Sequence, residues 1–386
     1  MKYKWREKEK EIINALKKEK MILVKGPRQA GKTTLLLHIK KIKGGTYYTL
    51  DDPSTLQLFE NSPEDLLNDK LVYIDEIQNS PIAGRILRYI HDHVKNVKVV
   101  VSGSGAFDKK IGLTAYLVGR VKELSLLPLS FKEFVKWRMP KYFDVYKKYH
   151  DQIIKLIKSG KEFEKLPKLS RLEELLKEYV KFGGYPKVVL SPKEDKEQIL
   201  KRIAYQSVER DVIHFFGLKE KRKVINFIKE LTFFVGKMLE ISKTGVDYKT
   251  SLKYLSILEE SFIIKLLPSF HKNPLKEIRK AKKLYFYDLG FRNAFTEIDV
   301  GHVLENFVFR QLLPEYYWRD KKGNEVDFVI KGIPIEVKTK GKVKEGFFEF
   351  LDMYEVERAF VFHYKWEFKK ERRGKTNVYY IPVFYL

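Results

Sequence analysis

The chain has 386 residues, 44% of them hydrophobic and 33% charged, which describes a folded protein of about two to four domains rather than a disordered one. Lys and Arg number 76 against 51 Asp and Glu, a formal net charge of +25; this favours a polyanionic partner, nucleic acid before an anionic membrane surface, although a generally lysine-rich proteome gives the same excess. The absence of cysteine excludes disulfides, thiolate zinc sites and cysteine nucleophiles. No apolar run approaches the roughly 18 residues of a membrane span, and the charged start Met1 to Arg6 is no signal core, so a cytoplasmic protein without a membrane partner is expected.

In chain order, residues 7–18 place Ile12, Ile13 and Leu16 on one helical face. Met21-Ile22-Leu23-Val24 then reads as a strand and Thr34-Leu35-Leu36-Leu37 as a helix. Between them Gly26-Pro27-Arg28-Gln29-Ala30-Gly31-Lys32-Thr33 fits the pattern Gly, four residues, Gly-Lys-Ser/Thr with no mismatch. Backbone N–H groups of a tight glycine-bearing loop and a helix N-terminus can surround phosphates at low steric cost. Lys32 reaches the β- and γ-phosphates, Thr33 offers its hydroxyl to Mg²⁺, and Thr34 continues the binding turn. ATP and Mg²⁺ are the expected ligands.

Thr46 to Leu50 reads as a second strand, ending at the turn or cap signal Asp51-Asp52-Pro53. Leu71-Val72-Tyr73-Ile74 makes a buried parallel strand with Asp75 and Glu76 at its C-terminal end, where open α/β sheets place ligands. Asp75 is expected to hold Mg²⁺, and Glu76 to orient and deprotonate the attacking water; an acidic turn is the alternative. Val97 to Val101 forms another strand whose tip, Ser102-Gly103-Ser104, can meet the γ-phosphate or the water through Ser102 or Ser104. Arg120, after Gly119, is either a γ-phosphate sensor, a finger acting across a subunit interface in a homo-oligomer, or a plain surface arginine.

The loop at 26–33, Ile74-Asp75-Glu76-Ile77-Gln78, the Ser102-Gly103-Ser104 tip and Gly119-Arg120 before Leu127-Pro128-Leu129-Ser130-Phe131 together resemble the AAA+-type archaeal and bacterial ATPases. More narrowly, the chain resembles the group whose C-terminal DUF4143 domain is related to restriction-endonuclease-like folds, and the resemblance covers essentially its whole length. The fold class this implies is α/β. It comprises a P-loop AAA+ ATPase core at 1–138, a helical lid or linker at 139–220, a winged helix-turn-helix at 221–270 and a PD-(D/E)XK nuclease-like α/β domain at 271–386.

The pattern from 131 to 220 is helical, broken at Phe182-Gly183-Gly184-Tyr185-Pro186; both that stretch and Glu209-Arg210-Asp211 are typical of the resembled group. Residues 140–168, rich in Lys and Tyr, read as a lid or mobile linker. A helix from Val224, a second opened by Leu239-Glu240-Ile241-Ser242, a third over Lys249–Glu260 and a strand at Phe262 to Leu267 match a winged helix. Such a module places Tyr248, Lys249, Thr250, Lys253 and Tyr254 near DNA, or serves protein contact alone.

In the last third, Glu305 lies on a helix, Asp327 on a strand, and Ile333-Pro334-Ile335-Glu336-Val337-Lys338 on a second strand that puts Glu336 and Lys338 on one face. Asp327 and Glu336 can share a hard cation, Glu305 can complete the site, and Lys338 can position water or neutralise phosphate charge. This resembles the Asp…Glu-X-Lys arrangement of metal-dependent nucleases; a hairpin with a solvated Glu-Lys pair is the plain alternative. Trp318, Arg319, Lys321 and Lys322 lie beside it, either as a phosphate grip or as an exposed loop. The reading is a Mg²⁺-dependent ATPase that binds DNA, with phosphodiester hydrolysis at the second site. The alternative is a nucleotide-dependent DNA- or protein-binding switch with a non-catalytic nuclease-like fold.

Overall fold

The structure is a computed structural model; it describes residues 3–105, 116–163, 165–214, 216–271, 281–296, 300–340 and 342–386, the side chains of 300–302 excepted. Helix α1 (Glu7–Lys18) leads into strand β1 (Met21–Gly26), and α2 (Lys32–Lys43) leaves the loop that follows. With β2 (Thr46–Thr49), β3 (Leu71–Asp75), β4 (Lys98–Ser104) and β5 (Lys122–Ser125) they build a parallel sheet in the order β2-β3-β4-β1-β5. The central strands β1, β3 and β4 carry apolar runs because both of their faces are covered. Leu23, Ile74 and Val101 pack with Leu87 and Ile90 of α4 (Ala83–His93) on one face, and Ile22, Val24 and Val100 pack with Ile12, Leu35 and Leu36 on the other. The expected cap at Asp52 is formed: its carboxylate accepts from Thr55 N at 2.8 Å and opens α3 (Pro53–Asn61).

A helical stretch follows: α5 (Phe131–Arg138), α6 (Phe143–Ser159), α7 (Arg171–Phe182), α8 (Pro186–Leu190) and α9 (Lys196–Ser207), the last running into a π-helical segment at Val208–His214. Residues 140–168 do not form a lid over the nucleotide loop. Their helix α6 buries Tyr146, Ile153, Leu156 and Ile157 in one core with the C-terminal sheet, and the Tyr146 hydroxyl donates to Leu386 O at 2.5 Å. The lysines on its outer face hide this apolar stripe in the composition.

Next come α10 (Lys221–Leu231), α11 (Tyr248–Glu260), and strands β6 (Ile264–Leu267) and β7 (Lys283–Phe286), which pair antiparallel across the expected boundary at residue 270. The helix expected to open at Leu239 is only a 3₁₀ turn, Ile241–Lys243, in the short span between Gly236 and Gly245. Gly236 is in the left-handed region (φ 69°) and stops propagation from the preceding turn. The last part holds α12 (Leu289–Asn293), α13 (Val300–Leu312) and α14 (Glu345–Tyr354) with strands β8 (Tyr316–Arg319), β9 (Glu325–Ile330), β10 (Ile333–Lys338), β11 (Arg358–His363), β12 (Lys369–Arg373) and β13 (Thr376–Pro382). They form a mixed sheet in the order β12-β13-β11-β10-β9-β8. Lys331 (φ 49°) and Gly332 (φ 80°) make the two-residue turn that sets the β9–β10 register, Ile335 opposite Phe328.

Candidate functional site

The nucleotide loop begins where β1 ends, at Gly26, because a Cβ there would lie 2.1 Å from Leu126 O. It closes at Gly31, whose φ of 96° only glycine adopts without strain. Lys32, in the first turn of α2, is 6% exposed and donates to Gly26 O at 2.9 Å and Pro27 O at 3.0 Å. Burial lowers its pKa, so the ammonium stands in a cage of neutral carbonyls with its charge under-compensated. An anionic phosphate is the partner such a group lacks.

Strand β4 lies between β1 and β3, and the register Ile74↔Val101 sets Ser102 beside Asp75. Asp75, 1% exposed, collects donors from two neighbouring strands, the loop helix and the next backbone N–H. Thr33 Oγ1 donates to Oδ2 at 2.6 Å and Tyr47 OH to the same oxygen at 2.9 Å, while Glu76 N at 3.0 Å and Ser102 Oγ donate to Oδ1. The paired hydroxyl and carboxylate of Thr33 and Asp75 form the hard oxygen donor set that suits Mg²⁺. Ser102 therefore orients Asp75 and is fully buried; it does not face the cleft. Ser104 acts through its backbone, which donates to Gln78 Oε1 at 3.1 Å, while Gln78 Nε2 donates to Glu76.

Glu76 is left-handed (φ 56°), a strained conformation for a non-glycine residue at a strand tip. Burial raises the pKa of its carboxyl, with Lys32 pulling it down and Asp75 pushing it up, which moves it toward the range of a general base. Glu76, Arg28, Gln29, Lys32, Thr33 and Thr34 line one cleft of about 590 Å³. Two connections to the rest of the chain have no sequence signal of their own. Arg6, in the charged N-terminus, is 4% exposed and donates to Ala30 O at 2.6 Å, Leu127 O at 2.7 Å and Glu133 Oε1 at 2.9 Å. Arg28 pairs with Asp211 of the π-helical segment at 3.0 Å, which gives the Glu-Arg-Asp stretch a place beside the nucleotide loop.

Arg120 does not reach this cleft. It precedes β5, which runs parallel to β1, so it lies at the end of the sheet opposite the loop, and its Nε pairs with Asp92 Oδ1 at 2.9 Å.

The second constellation is assembled, but around an unforeseen residue. Lys338 Nζ holds Glu336 Oε1 at 2.5 Å, Val337 N donates to Asp327 Oδ2 at 2.8 Å, and Asp327 N donates to Glu336 Oε2 at 3.4 Å. The ammonium of Lys283, on β7 and 1% exposed, stands 2.7 Å from Glu325 Oε1, 3.2 Å from Glu305 Oε1 and 3.8 Å from Asp327 Oδ1. The donor set therefore does not fit a metal ion: both oxygens of Asp327 and of Glu336 already face a cation or an N–H. No group of three or more His, Asp or Glu among the described residues is arranged to hold one. Trp318 is buried against Phe350 and Tyr354 and grips nothing outside, and Arg319 pairs with Glu325 at 3.3 Å. Lys283 has a faint signal, since it shares strand parity with the core residue Tyr285; Glu325 has none.

Burial, with Glu305 nearby, pushes Asp327 up to about 7, and burial, with Asp327 nearby, pushes Glu336 up to about 7. The folded state thus binds these protons more tightly than the unfolded chain. Their contribution to stability is full below the ordinary carboxylate values of 3.8 and 4.5 and is lost as pH rises through about 7. Chemical denaturation at pH 5 and pH 8 is expected to show lower stability at pH 8, with a smaller difference in Asp327→Asn.

Residues 18–135 match an AAA domain (AAA_14), and with the loop and carboxylate geometry they define the class, a P-loop ATPase-like core. Residues 173–301 match DUF8612 and residues 300–384 match DUF4143, both domains of unknown function. The chain thus joins an AAA-type, P-loop ATPase-like core to a DUF4143 domain. It is 28% identical over 342 residues to an uncharacterized protein of Methanocaldococcus jannaschii, spanning 81% of this chain and 72% of that one. It is 25% identical over 341 residues to an uncharacterized protein of Haemophilus influenzae, spanning 80% and 79%. Among solved structures it is similar to a Walker-type ATPase of Pyrococcus abyssi, with 13% identity, a TM-score of 0.46, and 75% and 95% of the two chains covered. No helix among the described residues is long and apolar enough to cross a membrane.

Proposed function

We propose that this chain hydrolyses ATP at the Gly26–Thr33 loop and uses the nucleotide state to control binding of a polyanionic partner, DNA. The observation that carries the ATPase reading is the single cleft that joins Lys32, Thr33 and Glu76, with Asp75 fixed beneath it by four donors. On binding, Lys32 exchanges the carbonyls of Gly26 and Pro27 for phosphate oxygens, a gain of charge partner in a dry site. Thr33 and Asp75 would hold Mg²⁺, which neutralises charge on the phosphate oxygens when bound. Glu76, held by Gln78, takes a proton from water as its oxygen attacks the γ-phosphorus, and the bond to the β–γ bridging oxygen breaks. A role for Arg120 in hydrolysis needs a neighbouring subunit in a homo-oligomer, since its own loop lies at the far end of the sheet.

The Arg28–Asp211 pair supports the switch, because a γ-phosphate competes with Asp211 for the guanidinium. Burial raises the pKa of Asp211 and so disfavours its charge once Arg28 leaves. Asp211→Asn is expected to retain hydrolysis but lose most of the nucleotide dependence of partner affinity, a coupling on the order of 1–3 kcal/mol. Titrating labelled DNA in ATP and in ADP measures it. DNA contact is supported by the net charge of +25 and by Tyr248, Lys249 and Lys253, which are exposed on α11, whereas Tyr254 is buried and belongs to the core. The second reading, phosphodiester hydrolysis in the C-terminal domain, is disfavoured because the oxygens of Asp327 and Glu336 already face Lys283, Lys338 or backbone N–H groups. The experiment is hydrolysis and DNA binding assayed together, with Lys32→Ala as control; equal activity in that variant removes the ATPase reading.

A further inference from the structure

Four carboxylates meet in the DUF4143 domain: Glu305 from α13, Glu325 and Asp327 from β9, and Glu336 from β10. Carboxylates packed at this density and largely withdrawn from water demand cations; Lys338 meets Glu336 and Arg319 meets Glu325 from the domain's own sheet, and the fold supplies a third cation from outside that sheet. Lys283 enters on β7, its ammonium 2.7 Å from Glu325, 3.2 Å from Glu305 and 3.8 Å from Asp327, with the ring of Tyr317 5.6 Å away. Tyr285, two residues on and on the same side of β7, donates to Glu305 Oε1 at 2.6 Å. We infer that Lys283 is the resident cation of this centre, occupying the place a divalent metal would take, so that the centre is metal-free and non-hydrolytic in the native protein.

The inference deepens the switch reading of the C-terminal domain but does not depend on ATP hydrolysis. Lys283 is not carried on a movable arm. Asn306 of α13 holds the end of β7 through both backbone groups of Phe286, accepting from its N–H at 2.8 Å and donating to its carbonyl at 2.8 Å. The same strand pairs with β6 and bridges to Val235 and Met238. A lysine so fixed is a permanent counter-ion, not a plug that a nucleotide-driven motion withdraws. Burial works against its charge, and Glu305, Asp327 and Glu325 outweigh that, holding the ammonium protonated well above the ordinary lysine range. The same arrangement implies a latent metal site: without the ammonium, the three carboxylates are left facing one another.

The test uses the full chain without nucleotide, so that the phosphate loop contributes no bound metal. Mn²⁺ is titrated by electron paramagnetic resonance, and melting is followed with Mn²⁺ or with chelator. The wild type is expected to melt at one temperature in both conditions and to bind Mn²⁺ no better than Asp327→Asn. Lys283→Ala is expected to melt lower, to recover part of the loss in Mn²⁺, and to bind Mn²⁺ roughly tenfold or more tighter than wild type. Mn²⁺ binding by the wild type that disappears in Asp327→Asn overturns the inference, and does so even where Lys283→Ala fails to fold. A folded Lys283→Ala that is as indifferent to Mn²⁺ as the wild type overturns it too. Neither outcome touches ATP hydrolysis, which is measured separately.

Discussion

Lys32→Ala is expected to abolish ATP hydrolysis and to weaken nucleotide binding, whereas Glu76→Gln is expected to bind ATP normally and lower kcat by about 10²–10⁴-fold. The difference follows from what each side chain touches. Lys32 lies inside the loop, held only by the carbonyls of Gly26 and Pro27, and its charge is available to any phosphate that enters. Removing it takes away attraction in the ground state and the transition state alike. Glu76 lies across the cleft on β3's end, where burial raises its pKa and Gln78 fixes its orientation. The amide in Glu76→Gln keeps the size and much of the hydrogen bonding but cannot take a proton. Nucleotide affinity by fluorescent analogue and steady-state phosphate release separate the two effects. Full hydrolysis in Glu76→Gln removes it as the base.

The second large effect is expected far from the reacting atoms. Arg6→Ala should cost about 3–5 kcal/mol of stability, because it leaves Glu133 buried without its cation and strips donors from Ala30 O and Leu127 O. Glu133 also accepts from Glu7 N at 2.8 Å and from Ser130 N at 3.0 Å, so it keeps some partners, and the loss falls chiefly on the nucleotide loop. Ala30 sits directly before Gly31, and the Arg6 guanidinium ties this part of the loop to Leu127 and Glu133. Arg6→Lys is expected to rescue little, since a point charge cannot reach three acceptors in a plane. Urea denaturation gives the stability, and the nucleotide KM of the folded fraction shows whether the loop has loosened. A stability within about 0.5 kcal/mol of wild type contradicts this role.

The nucleotide loop was legible because its chemistry is local: Gly26, Gly31, Lys32 and Thr33 are neighbours in sequence, and apolar runs flank them. Asp75 and Glu76 were legible from their place at the end of a buried strand. Ser102 was visible as a strand tip, but its direction depends on the β3–β4 register, which no single strand encodes. Arg6, Asp211 and Lys283 escaped for a shared reason. Each is a charged residue in a highly charged chain, and only tertiary packing distinguishes a buried ion from a solvated one. The helical pattern of α6 was legible from Tyr146 to Ile157, but its burial against the C-terminal sheet was not, because lysine on its outer face dominates its composition. At the second site the side chains Glu305, Asp327, Glu336 and Lys338 were found, and the cation that reinterprets them was not.

The most direct test of the whole account is the affinity of labelled duplex and branched DNA for the full chain in ATP, in ADP and without nucleotide. Mg²⁺ is present throughout, and the same samples are run on a denaturing gel. The account predicts binding that weakens steeply with salt, that differs between ATP and ADP, and that leaves the DNA intact. Affinity blind to nucleotide, or cleavage that Asp327→Asn abolishes, contradicts it.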